Sequence, residues 1–239
     1  MIIEAKDLPF REINDKLREK EKDYTVKGCL GQRFICAGMS GVSVTLEGVP
    51  GNALGAYLNG AEITVKGNAQ DAVGDTMNGG RIVIYGSVGD AAGYAMRGGS
   101  IYVKGDAGYR AGIHMKEYRE KVPVMVIGGR AGSFLGEYQA GGVIVVLGLG
   151  TSGKNIVGNY PCTGMHGGRV ILRSDCENIC FPDRVTARAA SEEDKKEIER
   201  YVSEYCLLFG ENRDEVMDHP FTVVTPDSKN PYKQLYIAN

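Results

Sequence analysis

The sequence has no tryptophan, eight prolines and three histidines in 239 residues. The histidines, His114, His166 and His219, have no metal-ligand spacing to one another or to a cysteine, so no metal site is assigned. Scarce proline and the lack of a G-X-Y period exclude collagen and proline-rich disorder. No apolar run approaches the ~20 residues that span a bilayer, so no membrane partner is expected. Charge of one sign is missing too. Lys+Arg 28 against Asp+Glu 30 leaves a net charge of −2, with no basic block for a nucleic acid. The opening residues Met1-Ile2-Ile3-Glu4-Ala5-Lys6-Asp7 lack the pattern of a signal peptide. Six cysteines (Cys29, Cys36, Cys162, Cys176, Cys180, Cys206) lie scattered. The expectation is reduced thiols in a cytoplasmic protein.

Glycine, by contrast, is abundant: 34 residues, about twice the usual ~7%. Gly41, Gly60, Gly79 and Gly98 share one spacing, as do Gly48, Gly67, Gly86 and Gly105, and Gly55, Gly74, Gly93 and Gly112. Three columns with a single period mark an internal repeat. Between the first two columns run alternating segments at 42–47, 61–66, 80–85 and 99–104, with further copies at 122–127, 142–147 and 168–173. One inward column reads Val44, Ile63, Ile82, Ile101, Val124, Ile144, Val170. The other reads Leu46, Val65, Ile84, Val103, Val126, Val146, Leu172. Period-2 alternation predicts half-buried strands. Short repeats of one strand plus glycine corners stack into a solenoid. The expected fold is an all-β, single-stranded parallel β-helix of about seven coils, with helical elements at both ends.

The expected organisation is an N-terminal cap segment over 1–24, the β-helix over 25–175, and a C-terminal helix with an extended arm over 176–239. Phe10, Ile13 and Leu17 have helical spacing and could close one end. Ser191 to Asp194 forms a capping box before an apolar face of Ile198, Tyr201, Val202, Tyr205, Leu208 and Phe209, ending at Gly210. Pro220, Pro226 and Pro231 among Phe221, Tyr232 and Tyr236 suggest the arm. Met39, Leu58, Met77, Met96 and Met165 fall in one ladder; a soft-metal or peptide site is conceivable, but register with the repeat favours a stacked core column. Asn59 and Asn78 suit a turn ladder along the stack. In the fifth and sixth coils Met125, Ile127, Val143, Val145 and Leu147 take outward positions, a candidate interface for the C-terminal helix, a partner or a second copy.

Two breaks in the period are expected to be loops, one at 109–121 with a charged stretch and one at 160–163. Gly148 to Asn155 resembles a phosphate-binding loop, yet Ile156 to Pro161 is a poor helix start, so a repeat turn is preferred. Cys176 and Cys180 match neither a zinc nor a redox pair. His114 with Lys116 could line an anion or substrate groove on the first loop, which keeps a free-standing enzyme as one alternative. No catalytic, cofactor-binding or metal-binding residue is assigned, and the residues read as scaffold.

The Met-x-Gly corner with its strand, seen in GQRFICAGMSGVSVTLEG, DAVGDTMNGGRIVIYG and GVIVVLGLGTSGKNIVGNYPCTGMHGG, resembles the C-terminal β-helix domain of the glutamate synthase large subunit over about 28–174. That resemblance implies a right-handed β-helix without established catalytic residues. It would sit beside a glutaminase and an FMN and iron–sulfur synthase, here as a stand-alone subunit of a split enzyme. FMN and Fe-S would belong to the partners and no cofactor to this chain. Met1-Ile2 does not supply the N-terminal cysteine of a glutaminase, and no cysteine cluster suits an iron–sulfur centre. The β-helix subunit of formylmethanofuran dehydrogenase is similar as well, and the repeat motifs separate the two poorly.

Overall fold

The computed structural model describes residues 1–19, 21–151 and 154–227. Its parallel strands are β1 (Ile2–Glu4), β2 (Asp23–Leu30), β3 (Ser43–Val49), β4 (Asn59–Val65), β5 (Gly79–Ile84), β6 (Ser100–Val103), β7 (Val124–Ile127), β8 (Ala140–Val146) and β9 (Gly167–Leu172). Each pairs with the next, so the chain forms a solenoid of about eight turns. The repeat places like above like: Val44 pairs with Ile63, Ile63 with Ile82, and Ile82 with Ile101. Their side chains, with Leu46, Val65, Ile84 and Val103, form the buried core inside the coils. The stack begins earlier than the glycine columns, because β1 and β2 already belong to it. Met39, Leu58, Met77, Met96 and Met165 are buried in the same core, with Met115 in line.

A solenoid end exposes backbone groups that would otherwise bond to the next coil. Helix α1 (Phe10–Leu17) covers the first end and buries Ile13, Asn14 and Leu17. Asn14 stands in for the missing coil. Its Nδ2 donates to Phe34 O at 2.9 Å and its Oδ1 accepts from Cys36 N–H at 2.8 Å.

At the other end the expected arm is structured differently. Helix α2 (Glu192–Phe209) and the short α3 (Arg213–Met217) lead into β11 (Thr222–Pro226), which runs antiparallel beside β9. Strand β10 (Val185–Ala189) then pairs outside β11. Phe221 and Pro226 therefore flank or end a sheet strand, while Pro231, Tyr232 and Tyr236 lie outside the described residues. The capping box is present: Ser191 Oγ accepts from Asp194 N–H, and the Asp194 side chain accepts from Ser191 N–H. Arg188 beside Asp194 holds that carboxyl well below the usual carboxylate range. Gly210 closes the helix at φ 72°.

The outward face needs one correction. Ile101 pairs with Met125, Tyr102 with Val126, and Val103 with Ile127. Met125 and Ile127 thus point into the core, whereas Val124 and Val126 point out. The coil before β7 advances 24 residues instead of 19, and an error of one residue there exchanges the two faces of the strand. Val143, Val145 and Leu147 do face outward. They are buried beneath Ile198, Tyr201, Val202, Tyr205 and Phe209, together with Val83, Tyr102 and Ile171. Helix α2 occupies this face. Tyr205 Oη donates to Lys104 O at 3.1 Å, directly over Gly128, where a Cβ would lie 1.9 Å from that oxygen. Tyr102 Oη donates to Glu204 at 2.6 Å, and burial with this neighbour raises the Tyr102 pKa above its ordinary value.

If Asn14 replaces a coil, Asn14→Ala leaves the buried Cys36 N–H without its acceptor, while the Phe34 carbonyl keeps the Ala37 N–H. A loss of about 1–3 kcal/mol in urea unfolding is expected; an unchanged midpoint would show that the end needs no cap.

Candidate functional site

Before its strand, each coil turns through a segment whose backbone alternates in hand. In the second coil Ala53, Gly55 and Tyr57 have φ of 62°, 65° and 57°. The triplet recurs as Ala72, Gly74, Thr76; Ala91, Gly93, Ala95; Arg110, Gly112, His114; and Phe134, Gly136, Tyr138. Phe34, Cys36, Gly38 and Tyr160, Cys162, Gly164 complete it at the two ends. The hydrogen bonds explain why so many residues accept this conformation. In the triplets before the last, the first and third residues donate forward, as Ala53 N–H does to Asp71 O (2.9 Å) and Tyr57 N–H to Asp75 O (2.7 Å). The middle one donates backward, as Gly55 N–H does to Ile35 O (2.9 Å). Every second amide must point the other way along the stack, which requires left-handed residues at alternate positions.

The middle position faces the core, and here glycine is sterically required. A Cβ on Gly74 would lie 2.6 Å from Ile101 Cδ1, and one on Gly112 would lie 2.3 Å from Ile144 Cδ1. This is the third glycine column. Cysteine holds the same place only in the two terminal triplets, where burial drives the Cys36 thiol pKa upward and pushes that of Cys162 to about 12. In the second column Gly86 and Gly105 serve close approach instead, since a Cβ would meet Asn68 Oδ1 at 2.1 Å and Ser87 Oγ at 2.4 Å. Asn68, Ser87 and Asp106 there form the ladder expected of Asn59 and Asn78. Each side chain accepts from a backbone N–H of the following coil (2.8, 3.0 and 2.6 Å). Asn78 Nδ2 bonds locally to Thr76 O. In the first column Gly41 and Gly60 have positive φ, whereas Gly79 and Gly98 do not.

The two outer left-handed positions project side chains outward, and in the later coils these are aromatic or cationic. His114 stacks on Tyr138 (5.3 Å between centroids, 11° between planes) and meets Tyr94 edge-on at 5.9 Å. Phe134 stacks on Tyr160 at 5.4 Å. Arg110 lies 5.1 Å over the Phe134 ring and its Nε donates to Glu137 Oε2 at 2.9 Å. A Cβ on Gly164 would fall 2.4 Å from the Tyr138 ring, so glycine there lets the ring lie on the backbone. Tyr160 is 64% exposed and Tyr94 41%. We take this cluster as the candidate functional site. Exposed aromatics with one arginine are the side chains that dominate protein interfaces.

Two expected loops are also relocated. His114 belongs to the repeat and not to an insert. The extra residues come after it and fold back, with Tyr118 bridging Lys121, whose Nζ donates to Asn78 O at 3.0 Å. Lys116 is exposed at the start of that excursion. Tyr160 to Gly164 likewise keeps the regular left-handed pattern. The lengthening there lies between Gly148 and Ile156, in a coil that advances 26 residues. No helix begins behind this glycine stretch, which leads into Val157 bridged to Ala131; its Ser152 and Gly153 lie outside the described residues.

The model of the GXGXG motif family matches residues 21–227. This chain belongs to the GXGXG motif family. It is 42% identical to an uncharacterized protein of Methanocaldococcus jannaschii over 99% of this chain and 96% of that one. A solved structure of the formyltransferase/hydrolase complex FhcABCD from Methylorubrum extorquens, in complex with methylofuran, contains a similar fold. It has TM-score 0.67 and 21% identity, and the match covers 85% of this chain and 73% of that one.

The outer left-handed positions carry strain in any residue with a Cβ, of roughly 1–2 kcal/mol, against a glycine entropy cost of about 0.5–1 kcal/mol. Ala95→Gly should therefore stabilise the chain slightly in urea, by about 0.5–1 kcal/mol, while Gly74→Ala should destabilise it. A clear loss with Ala95→Gly would contradict the strain account.

Proposed function

We propose that this chain is a non-catalytic assembly subunit of a split glutamate synthase, and that the Tyr94–His114–Tyr138 and Arg110–Phe134–Tyr160 cluster is where a partner enzyme docks. The carrying observation is that cluster, fixed on a backbone hydrogen-bonded from coil to coil. Side chains held that firmly lose little freedom on binding. In this reading a glutaminase and an FMN-dependent synthase assemble on the solenoid, and glutamine with 2-oxoglutarate yields two glutamates on the partners. The motifs of coils one, three and six support the choice of complex. FMN and iron–sulfur groups would sit on the synthase.

A second reading has its own support. The fold neighbour comes from a formyltransferase/hydrolase complex, so this chain could serve as the β-helix subunit of a formyl-group-handling assembly. The apolar sheet face is filled by α2, which favours the turn face for contacts in either case.

Tagged chain isolated from native cells should bring down glutaminase and flavin-dependent synthase polypeptides, identified by mass spectrometry. Recovery of formyltransferase or hydrolase polypeptides instead would overturn the first reading in favour of the second. Combined Tyr138→Ala and Tyr160→Ala should weaken the recovered complex about 30-fold or more, the loss of at least one hot spot of ~2 kcal/mol. Unchanged affinity would move the docking site elsewhere.

A further inference from the structure

The lengthened glycine loop borders a cavity that the assembly role does not use. It measures about 260 Å³ and lies between that loop, the turn after β9 and His219, just beyond α3. Its charged and polar lining comprises Thr151, Lys154, Arg173, Asp175, Glu177 and His219. Arg173 is partly buried, and among the described residues its partners are backbone carbonyls: Nε donates to Val216 O (2.7 Å), Nη2 to Glu215 O (3.3 Å) and Nη1 to Leu147 O (3.5 Å). Carbonyls accept its protons without neutralising its charge, and some of its five N–H donors stay free. Lys154 is exposed beside it. Asp175 and Glu177 line the same cavity: one Asp175 oxygen accepts from Glu177 N–H (3.3 Å), and both residues are exposed. Among the described residues, the cavity thus holds two cations without acidic partners and two carboxylates without basic ones.

We propose that this cavity binds a small zwitterion of the α-amino acid class. The ligand carboxylate would meet the planar guanidinium of Arg173 and the point charge of Lys154. The ammonium would meet Asp175 and Glu177. A simple anion would satisfy the cations and leave the carboxylates repelling it; a zwitterion satisfies both signs. The volume falls below the ~300 Å³ at which drug-sized pockets begin, which limits the ligand to a single residue-sized molecule. Loop excursions from a repeat often carry ligand sites, and this excursion is where the chain departs furthest from its regular period. The proposal does not depend on which complex the chain serves.

Calorimetry on the full chain with a panel of L-amino acids, 2-oxoglutarate and inorganic phosphate tests it. At least one amino acid should bind saturably. 2-Oxoglutarate and phosphate, which carry no ammonium, should bind at least about tenfold more weakly, a difference near 1.4 kcal/mol. Lys154→Ala and Glu177→Gln both alter exposed side chains and should each weaken the amino acid at least about fivefold, while Lys116→Ala on the other excursion should not. Absence of amino-acid binding, equal or tighter binding of 2-oxoglutarate or phosphate, or affinity indifferent to both variants would overturn the proposal.

Discussion

The structure depends on amides that alternate in direction along the left-handed face. A residue such as Ala53 reaches forward to Asp71, and Gly55 two positions on reaches back to Ile35. Neither bond exists within a single coil, so an isolated coil would carry the left-handed strain with nothing to offset it. Each added coil contributes hydrogen bonds worth about 0.5–1.5 kcal/mol net, together with burial of its inward side chains. Stability is therefore a property of neighbouring coils, as expected for a solenoid. The same dependence makes the ends costly, which is why a side-chain amide from α1 supplies the acceptor that Cys36 N–H of the first coil would otherwise lack.

This constraint also explains what could be read from the sequence. The stack was legible because inward positions repeat chemically: aliphatic residues on the strands and glycine where a Cβ would strike Ile82, Ile101 or Ile144. The outer left-handed positions left no such trace. They hold Phe34, Tyr57, Thr76, Ala95, Arg110 and His114, which share a backbone conformation and no side-chain property. The candidate site was therefore missed as a site, although His114 drew attention for another reason. Strand β7 misled for a different cause. Its Val-Met-Val-Ile has no polar residue to mark the outer face, because α2 buries that face. With alternation gone, only the insert length could set the register, and either Gly128 or Gly129 could be matched to Gly105. Backbone pairing selects Gly129, whose N–H bonds to Gly105 O. Strands β10 and β11 could not be found from the period at all, since they run antiparallel and lie outside the repeat.

The departures from regularity concentrate in one half of the stack. From β3 to β6 the coils advance by 19 residues, and the outer left-handed positions between these strands are mostly alanine, with Tyr57 and Thr76 as the larger exceptions. From there on come the excursion after Met115, the lengthened glycine loop, the stacked aromatics and the helix on the outer sheet. The early coils have regular geometry and few projecting groups, which suits a spacer. The later coils spend additional residues on shape.

Helix α2 gives this asymmetry its physical sense. Outward apolar residues on β7 and β8 would be a sheet surface open to association, and an antiparallel strand beside β9 would otherwise end the sheet bare. By filling both places with its own chain, through Tyr205 over Gly128 and the Arg169–Glu197 pair at the rim, the protein removes its most hydrophobic face from competition. What remains for a partner is the turn face, where direction and spacing of side chains are set by backbone hydrogen bonds. Recognition there would follow the pattern of Tyr94, His114, Tyr138 and Tyr160, and not unselective apolar contact. Under the proposed assembly role that distinction matters, because a surface that holds one partner in a fixed pose must offer little to others.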